Sequence, residues 1–214
     1  MIRMTELVRW VGAAILVAAS GMAHSASAAP RSFDLADPMG RNAVALTMES
    51  RYQPIRGIAQ EVQGSLSFDP ETGACSGTIE LVSSSVHWIG DDLDEDLFGP
   101  SWFDVANRPT WPITIKAAAH AEALNDETWQ IAALGAMVVR GRAGGVNFPL
   151  TITYLPGGMS ERTGGVVSGD LIVVRGGLSF ARGEYGLDPA SLGGDLYGDE
   201  IELNFSLVGW SAGS

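Results

Sequence analysis

The sequence predicts an all-β domain, an antiparallel barrel or sandwich of about eight strands. From Asn42 onward, apolar and polar residues alternate, and Gly, Pro, Asn and Asp interrupt the alternation as turns do. The clearest segment is 200–207, where Ile, Leu, Phe and Leu share one face and polar residues share the other. No long segment after the N-terminal region keeps a 3.6-residue apolar period, so few helices are expected.

The predicted strands follow the alternating segments in chain order. They cover residues 42–50, 58–68, 77–88, 111–116, 128–139, 148–154, 169–180 and 200–207. The best helical candidate is short, near 91–103, because clustered carboxylates at its start favour a helix N-terminus. Its apolar residues are expected to form a lid over the mouth of the barrel, and these are Leu97, Phe98, Trp102 and Phe103. Asp104 would anchor the lid through backbone amides or serve as a plain turn residue.

The N-terminal region, residues 1–28, predicts a cleaved signal peptide. Arg3 and Arg9 precede an apolar run that ends at Met22, and Ala26-Ser27-Ala28 forms an A-x-A cleavage site. The apolar run is shorter than the roughly 20 residues that cross a bilayer, so no stable membrane anchor is expected after cleavage. Residues 29–214 would then form one secreted domain, since their number suffices for a single core and is small for two.

Charge and cysteine content exclude several classes of protein. The formal net charge is −12 and Lys116 is the only lysine, so nucleic acid is not expected as a partner. An anionic membrane surface would also repel the chain. Cys75 is the single cysteine, which rules out an intramolecular disulfide, and nothing adjacent in sequence would activate its thiol.

Motifs for catalysis and for metal or cofactor binding are weak. His87 and His120 are isolated, so no metal site or cofactor is expected, and no G-x-S-x-G segment occurs. The carboxylates at 91–96 are neighbours on one segment, whereas glycoside hydrolysis needs two that flank a cleft, so we expect no enzyme. Two alternatives stay open: a secreted β-barrel enzyme that acts on a lipid or glycan through acidic residues of the 91–104 loop, or a packed structural or stress module without a ligand.

Several separated motifs carry a resemblance to a known family. The most specific is Trp102-Phe103-Asp104-Val105 followed by Arg108-Pro109-Thr110. The others, in order, are Arg56-Gly57, Gly64 to Pro70, Ser83 to Val86, Gly135 to Gly141, Arg182-Gly183-Glu184-Tyr185-Gly186 and Gly198 to Ile201. In this order and spacing the chain resembles the YceI-like (polyisoprenoid- or lipid-binding) family from about Phe33 to Val208.

The resemblance implies an extended eight-stranded antiparallel β-barrel, lipocalin-like in outline, whose lumen holds a long apolar ligand. Such a ligand would be a polyisoprenoid, an isoprenoid quinone or a fatty-acyl lipid. It implies a noncatalytic periplasmic carrier and, because relatives are often dimeric, a homodimer. The expected ligand contacts are the apolar residues Ile79, Leu81, Leu97, Phe98, Trp102, Phe103, Ile113, Ile115, Ile131, Met137, Leu150, Ile152, Leu203 and Phe205.

Two further expectations concern the lumen and the head group of the ligand. Small residues on inward strand faces would leave room for a chain, and these are Ser83, Ala133 and Gly135. Without the resemblance, the apolar faces would be interpreted as ordinary core. The stretch 37–50 has no histidine and 93–97 has no basic residue, where relatives carry them. A head group different from that of relatives is therefore expected.

Overall fold

A computed structural model describes residues 29–90, 93–187 and 197–212. The predicted signal peptide, residues 1–28, lies outside the described residues. The strands are β1 (Arg31–Asp34), β2 (Ala43–Ser50), β3 (Ile55–Ala59), β4 (Val62–Phe68), β5 (Cys75–Val82), β6 (Val86–Trp88), β7 (Thr110–Ala123), β8 (Thr128–Val139), β9 (Arg142–Leu155), β10 (Gly169–Ala181) and β11 (Tyr197–Ala212). Two short helices, α1 (Leu93–Phe98) and α2 (Gly158–Thr163), accompany them. No helix in the described ranges combines the length and apolar character needed to cross a membrane.

The strands form one antiparallel sheet that closes on itself. The ring runs in the order β1, β4, β5, β7, β8, β9, β10 and β11, and it closes where Asp34 pairs with Trp210. At one end β2 continues along β11, β3 pairs with β2, and β6 pairs with β3. The expected all-β fold, an eight-stranded antiparallel barrel with lipocalin-like outline, is confirmed. The expected short helix is α1.

The predicted strand 77–88 is interrupted. Ser83–Ser85 form a 3-10 turn between β5 and β6, in which the Ser83 hydroxyl donates to the carbonyl of Arg108 at 2.8 Å. β5 pairs with β7 only as far as Val82, and β6 then follows β3 away from β7. The chain from α1 to β7 lies at this opening, which defines one end of the barrel.

Inward side chains of the strands form a single apolar core. In β11, Ile201, Leu203, Phe205 and Leu207 are at most 4% exposed, while the residues between them are exposed. The same alternation recurs on the other strands of the ring, and their buried residues join one cluster. Alternation in the sequence therefore corresponds to inside and outside of the barrel, as expected for strands buried on one face.

A polar network closes the end of the barrel near α2. Arg31 pairs with Asp170, which also accepts a hydrogen bond from the Tyr154 hydroxyl at 2.9 Å and one from the Gly157 amide at 2.8 Å. Burial raises the pKa of the Asp170 carboxyl, but these donors together outweigh burial and hold the pKa below its usual value. Arg31, Tyr154 and Asp170 each have a partner within this network, which therefore ties β1, β9 and β10 together.

Cys75 begins β5 and is 5% exposed. Burial raises the pKa of its thiol to about 12. Because the thiolate is the reactive form, this cysteine is inert at neutral pH.

Candidate functional site

The predicted ligand contacts all lie in the interior of the barrel or at the end closed by the segment around α1. The strand residues are at most 4% exposed, and they are Ile79, Leu81, Ile113, Ile115, Ile131, Met137, Leu150, Ile152, Leu203 and Phe205. Leu97, Trp102 and Phe103 are at most 1% exposed, and Phe98 is half-buried against the same core. These side chains pack against one another and fill the interior, and their role as ligand contacts stays a prediction.

The small residues expected to leave room in the lumen have different roles. A Cβ at Gly135 would overlap the backbone carbonyl of Thr114, so glycine permits close approach of β7 and β8. Ser83 lies in a 3-10 turn and bonds to a backbone carbonyl. Ala133 is the one of the three that faces the core from a strand, with 0% exposure. The expectation of lumenal space therefore fails for Gly135 and Ser83.

The segment after α1 folds back on itself and places two aromatic side chains inward. The Phe103 amide donates to the carbonyl of Leu97 at 3.0 Å, and the amides of Trp102 and Asp104 donate to Gly99. Asp104 takes φ of 51°, a conformation that aspartate tolerates better than most residues. Among the described residues its carboxylate accepts from the side-chain amide of Asn107 at 2.8 Å and from no backbone amide, so Asp104 is a turn residue.

Five aromatic side chains gather at this end of the barrel. Trp88 of β6 stacks on Phe103 with ring centroids 5.7 Å apart, and Phe103 contacts Trp111 of β7 at 4.5 Å. Trp102 lies 6.2 Å from Phe103 on one side and 6.2 Å from Tyr197 on the other. The ring of Phe103 thus bridges the opening between β6 and β7. We call this region the tryptophan end.

Three tryptophans of this cluster bury indole N–H groups without an acceptor. Among the described residues, Nε1 of Trp88, Trp102 and Trp111 has no hydrogen-bond partner. Trp129 and Trp210, elsewhere on the barrel, each donate to a backbone carbonyl at 3.2 Å. Buried indole N–H groups usually find a partner, and each unpaired one costs about 1–3 kcal/mol. Nε of Arg162, on α2, is the one buried side-chain donor without a partner that lies away from this end among the described residues, so most such donors lie at the tryptophan end.

Arg182 adds a buried positive charge to this cluster. The residue is 6% exposed, and its guanidinium carbon lies 5.6 Å from the centroid of the Trp102 ring. Nη2 donates to the carbonyl of Tyr197 at 3.3 Å, whereas Nε and Nη1 have no partner among the described residues. Ion pairs in that part of the chain join Arg31 to Asp170 and Arg162 to Asp37, and no carboxylate pairs with Arg182. An unpaired buried charge is strongly unfavourable.

Further arginines surround the tryptophan end. Arg140 donates to the carbonyls of Pro100 and Gly186, and so ties the segment after α1 to the turn after β10. The guanidinium of Arg108 lies beside Gly141, and that of Arg142 lies beside Gly186. The Arg182 turn carries the exposed Glu184, and the exposed Asp199 of β11 accepts from the Gly183 amide of this turn at 3.0 Å. Several arginines and several exposed carboxylates thus share this end of a chain of net charge −12.

The acidic residues near α1 form a different kind of surface. Asp91 and Asp92 lie outside the described residues. Asp94 accepts a hydrogen bond from the Trp88 amide at 3.2 Å, and Glu95 and Asp96 are exposed. In the described part of the chain, no group of three or more His, Cys, Asp or Glu side chains could hold a metal ion.

Two parts of the site were missed by reasoning from the sequence. Trp88 and Trp111 were assigned to strands but not to the site, although each lies where a predicted strand meets the predicted lid. Arg182 was noted only as part of a motif, because an arginine in a glycine-containing turn is usually solvated. The signal that could have found it is its place two residues after Phe180, which continues the inward-facing alternation of β10.

The fold and this end of the barrel define the class of protein: a small antiparallel barrel with an apolar interior and unpaired polar donors buried at one end. A family model, the YceI-like domain, matches residues 36–209. The chain belongs to the YceI-like family. Comparison with curated protein sequences gives no match.

Solved structures share the fold. BcnA of Burkholderia cenocepacia is 18% identical, with a TM-score of 0.60 over 78% of this chain and 95% of BcnA. A polyisoprenoid-binding domain from Saccharophagus degradans, implicated in plant cell wall breakdown, is 11% identical, with a TM-score of 0.58 over 84% of this chain and 98% of that domain. A Campylobacter jejuni YCEI protein is 15% identical, with a TM-score of 0.54 over 73% of this chain and 85% of that protein.

Proposed function

We propose that the protein is a noncatalytic periplasmic carrier that holds a long apolar ligand in the barrel lumen. The ligand would be a polyisoprenoid, an isoprenoid quinone or a fatty-acyl lipid. The observation that carries the proposal is a closed eight-stranded ring whose inward face is continuously apolar. Membership of the YceI-like family and the fold shared with a polyisoprenoid-binding domain support it.

The size of the barrel suits one slender chain. An eight-stranded barrel has an interior that side chains can fill or that holds a single small ligand. Met48 and Met137 face this interior with 0% exposure. Methionine side chains are unbranched and flexible, so they can change rotamer to admit a tail. The tail would then replace contacts between side chains on opposite walls.

The tryptophan end is the proposed site of ligand entry. At this end the pairing of β5 with β7 stops at Val82, which leaves an opening in the ring. The segment after α1 covers this opening. That cover is held largely by packing of aromatic rings, including the stacked pair Trp88 and Phe103. Packing of this kind can open without breaking a strand ladder. The α2 end, by contrast, is closed by the Asp170 network.

Native mass spectrometry of the protein purified from its own periplasm tests the proposal. We expect a chain that begins at Ala29 and carries a noncovalent adduct, which dissociates as a prenyl, quinone or acyl lipid. A strictly ligand-free protein that also binds none of these lipids would contradict the carrier and favour a packed structural module. Turnover of the lipid would favour the enzyme alternative. The same spectra report whether the chain forms the homodimer that the resemblance implies.

A pair of matched variants localises the adduct. Ala133→Leu adds volume inside the barrel, whereas Ala136→Leu makes the same change on the outward face of β8, where Ala136 is half-buried. We expect Ala133→Leu to reduce the fraction of protein with bound lipid and Ala136→Leu to leave it unchanged. Equal occupancy in both variants would place the lipid outside the lumen.

A further inference from the structure

We propose that the head group of the ligand is an oxyanion, a carboxylate or a phosphate, bound by Arg182 and the indole N–H groups at the tryptophan end. This inference rests on the proposed function, because it assigns the polar end of the same lumenal ligand. It goes beyond that function by naming the charge and chemistry of the head group. Its basis is the set of buried donors without acceptors.

The first step is the charge of Arg182. A guanidinium stays protonated in proteins and carries five N–H donors. Nη2 has an acceptor, while Nε and Nη1, which carry three of the five donors, have none in the described residues. A neutral acceptor such as a carbonyl would occupy a donor and leave the charge unbalanced. An oxyanion satisfies the donors and the charge together.

The second step is the position of the neighbouring donors. The guanidinium packs over the ring of Trp102, which holds its plane in place. Trp102 itself has an unpaired indole N–H, as do Trp88 and Trp111 in the same cluster. All donors of this set sit at one end of the apolar interior. A ligand with an oxyanion at this end would therefore extend its tail into the barrel.

The third step is the charge around the site. Arg108, Arg140 and Arg142 lie at the rim of the tryptophan end, in a protein of net charge −12. Clustered cations raise the local concentration of anionic ligands at the site. Exposed carboxylates also lie at this end, among them Glu95 and Asp96 of α1 and Asp199. The arginines offset this negative charge locally, and the buried donors select the head group.

The test compares ligands that share a tail and differ in the head. The delipidated mature protein is titrated with hexadecanoic acid and hexadecanol, and with geranylgeranyl phosphate and geranylgeraniol, with indole fluorescence as the readout. We expect at least one oxyanion to bind at least tenfold more tightly than its alcohol. If the protein prefers only the acid over its alcohol, the head group is a carboxylate. If it prefers only the phosphate over its alcohol, the head group is a phosphate ester. If it prefers both, the site accepts either oxyanion. No preference in either pair would overturn the inference.

Variants assign the preference to Arg182. We expect Arg182→Met to remove the preference to within about twofold, mainly by weakening oxyanion binding, because the tail contacts of both ligands remain. Arg175→Met, an exposed arginine on β10, makes the same charge change and should keep the preference. The melting temperature of delipidated Arg182→Met should equal or exceed that of the parent, since an unpaired buried charge is lost. A large drop in melting temperature together with an unchanged preference would make Arg182 structural and overturn the inference.

A second variant covers the case in which Arg182→Met does not fold. Trp102→Phe keeps an aromatic ring under the guanidinium and removes one indole donor, and we expect it to weaken oxyanion binding several-fold more than it weakens alcohol binding. Equal weakening of both ligands would contradict donation to the head group. If neither acids, phosphates nor alcohols bind the parent, the proposed carrier function fails. If alcohols bind as well as oxyanions, only the head-group inference fails.

Discussion

Replacing Trp102 with alanine is expected to lower the free energy of unfolding by about 3–5 kcal/mol, as large aromatic deletions in cores do. Trp102 is 1% exposed and lies between Phe103, Tyr197 and the guanidinium of Arg182. Its removal leaves a cavity where the segment after α1 meets the barrel. Because small domains are stable by roughly 5–15 kcal/mol, the loss is a large share of the total. Urea denaturation, followed by circular dichroism, measures it.

Two further variants serve as comparisons: Trp102→Phe tests the indole N–H group apart from the aromatic ring, and Tyr52→Ala is a control at an exposed residue. Trp102→Phe should cost about 1 kcal/mol or less, because it retains most of the ring and removes an unsatisfied donor. Tyr52→Ala, at a residue that is 79% exposed, should change stability by about 0.5 kcal/mol or less. If Trp102→Ala were as mild as Tyr52→Ala, the cover of the tryptophan end would be marginal to the fold and the packing described above would be wrong.

Affinity for fatty acids is expected to rise steeply with tail length. Each methylene buried in the lumen contributes about 0.8 kcal/mol, a factor of about four in affinity. From a ten-carbon to a sixteen-carbon acid the gain should be on the order of a thousandfold, after ordering of the tail removes part of the hydrophobic gain. The head group is constant across this series, so the measured slope belongs to the tail.

Competition against a fluorescent fatty acid measures this series. Ala133→Leu, with less room inside the barrel, should flatten the slope for the longer acids, and Ala136→Leu should not. Affinity that is independent of length in the parent would contradict a tail buried in the lumen, even if acids bind.

The sequence predicted strands where alternation is strong and made them too short where the side chains are small. The segment 200–207 alternates strongly and lies within β11, whose inward residues are those expected. The predicted strand 111–116 belongs to the longer β7, because the alanines after Lys116 carry no clear alternation. Likewise, the predicted strands leave residues 140–147 outside, but β9 begins at Arg142. Glycine has no side chain to show a pattern, and Gly144 leaves space for the Tyr185 ring.

The candidate site was predictable only in its apolar part. Trp102 and Phe103 were found from the sequence because apolar residues after a charged helix start need a cover. Arg182 was not, since the surroundings that leave its Nε and Nη1 without acceptors in the described residues come from parts of the chain far apart, such as Trp102 and Tyr197. Whether a buried donor is satisfied is a property of the folded structure, and local sequence does not report it.

Photolabelling with a fatty acid that carries a diazirine at the end of its tail tests lumenal binding most directly. The protein is irradiated with the bound acid, digested, and mapped by mass spectrometry. We predict labels on inward side chains deep in the barrel, such as Ile131 and Ile152. Labels confined to their outward neighbours Ala132 and Thr153, or to the outer surface elsewhere, would contradict a carrier that holds its ligand inside the barrel.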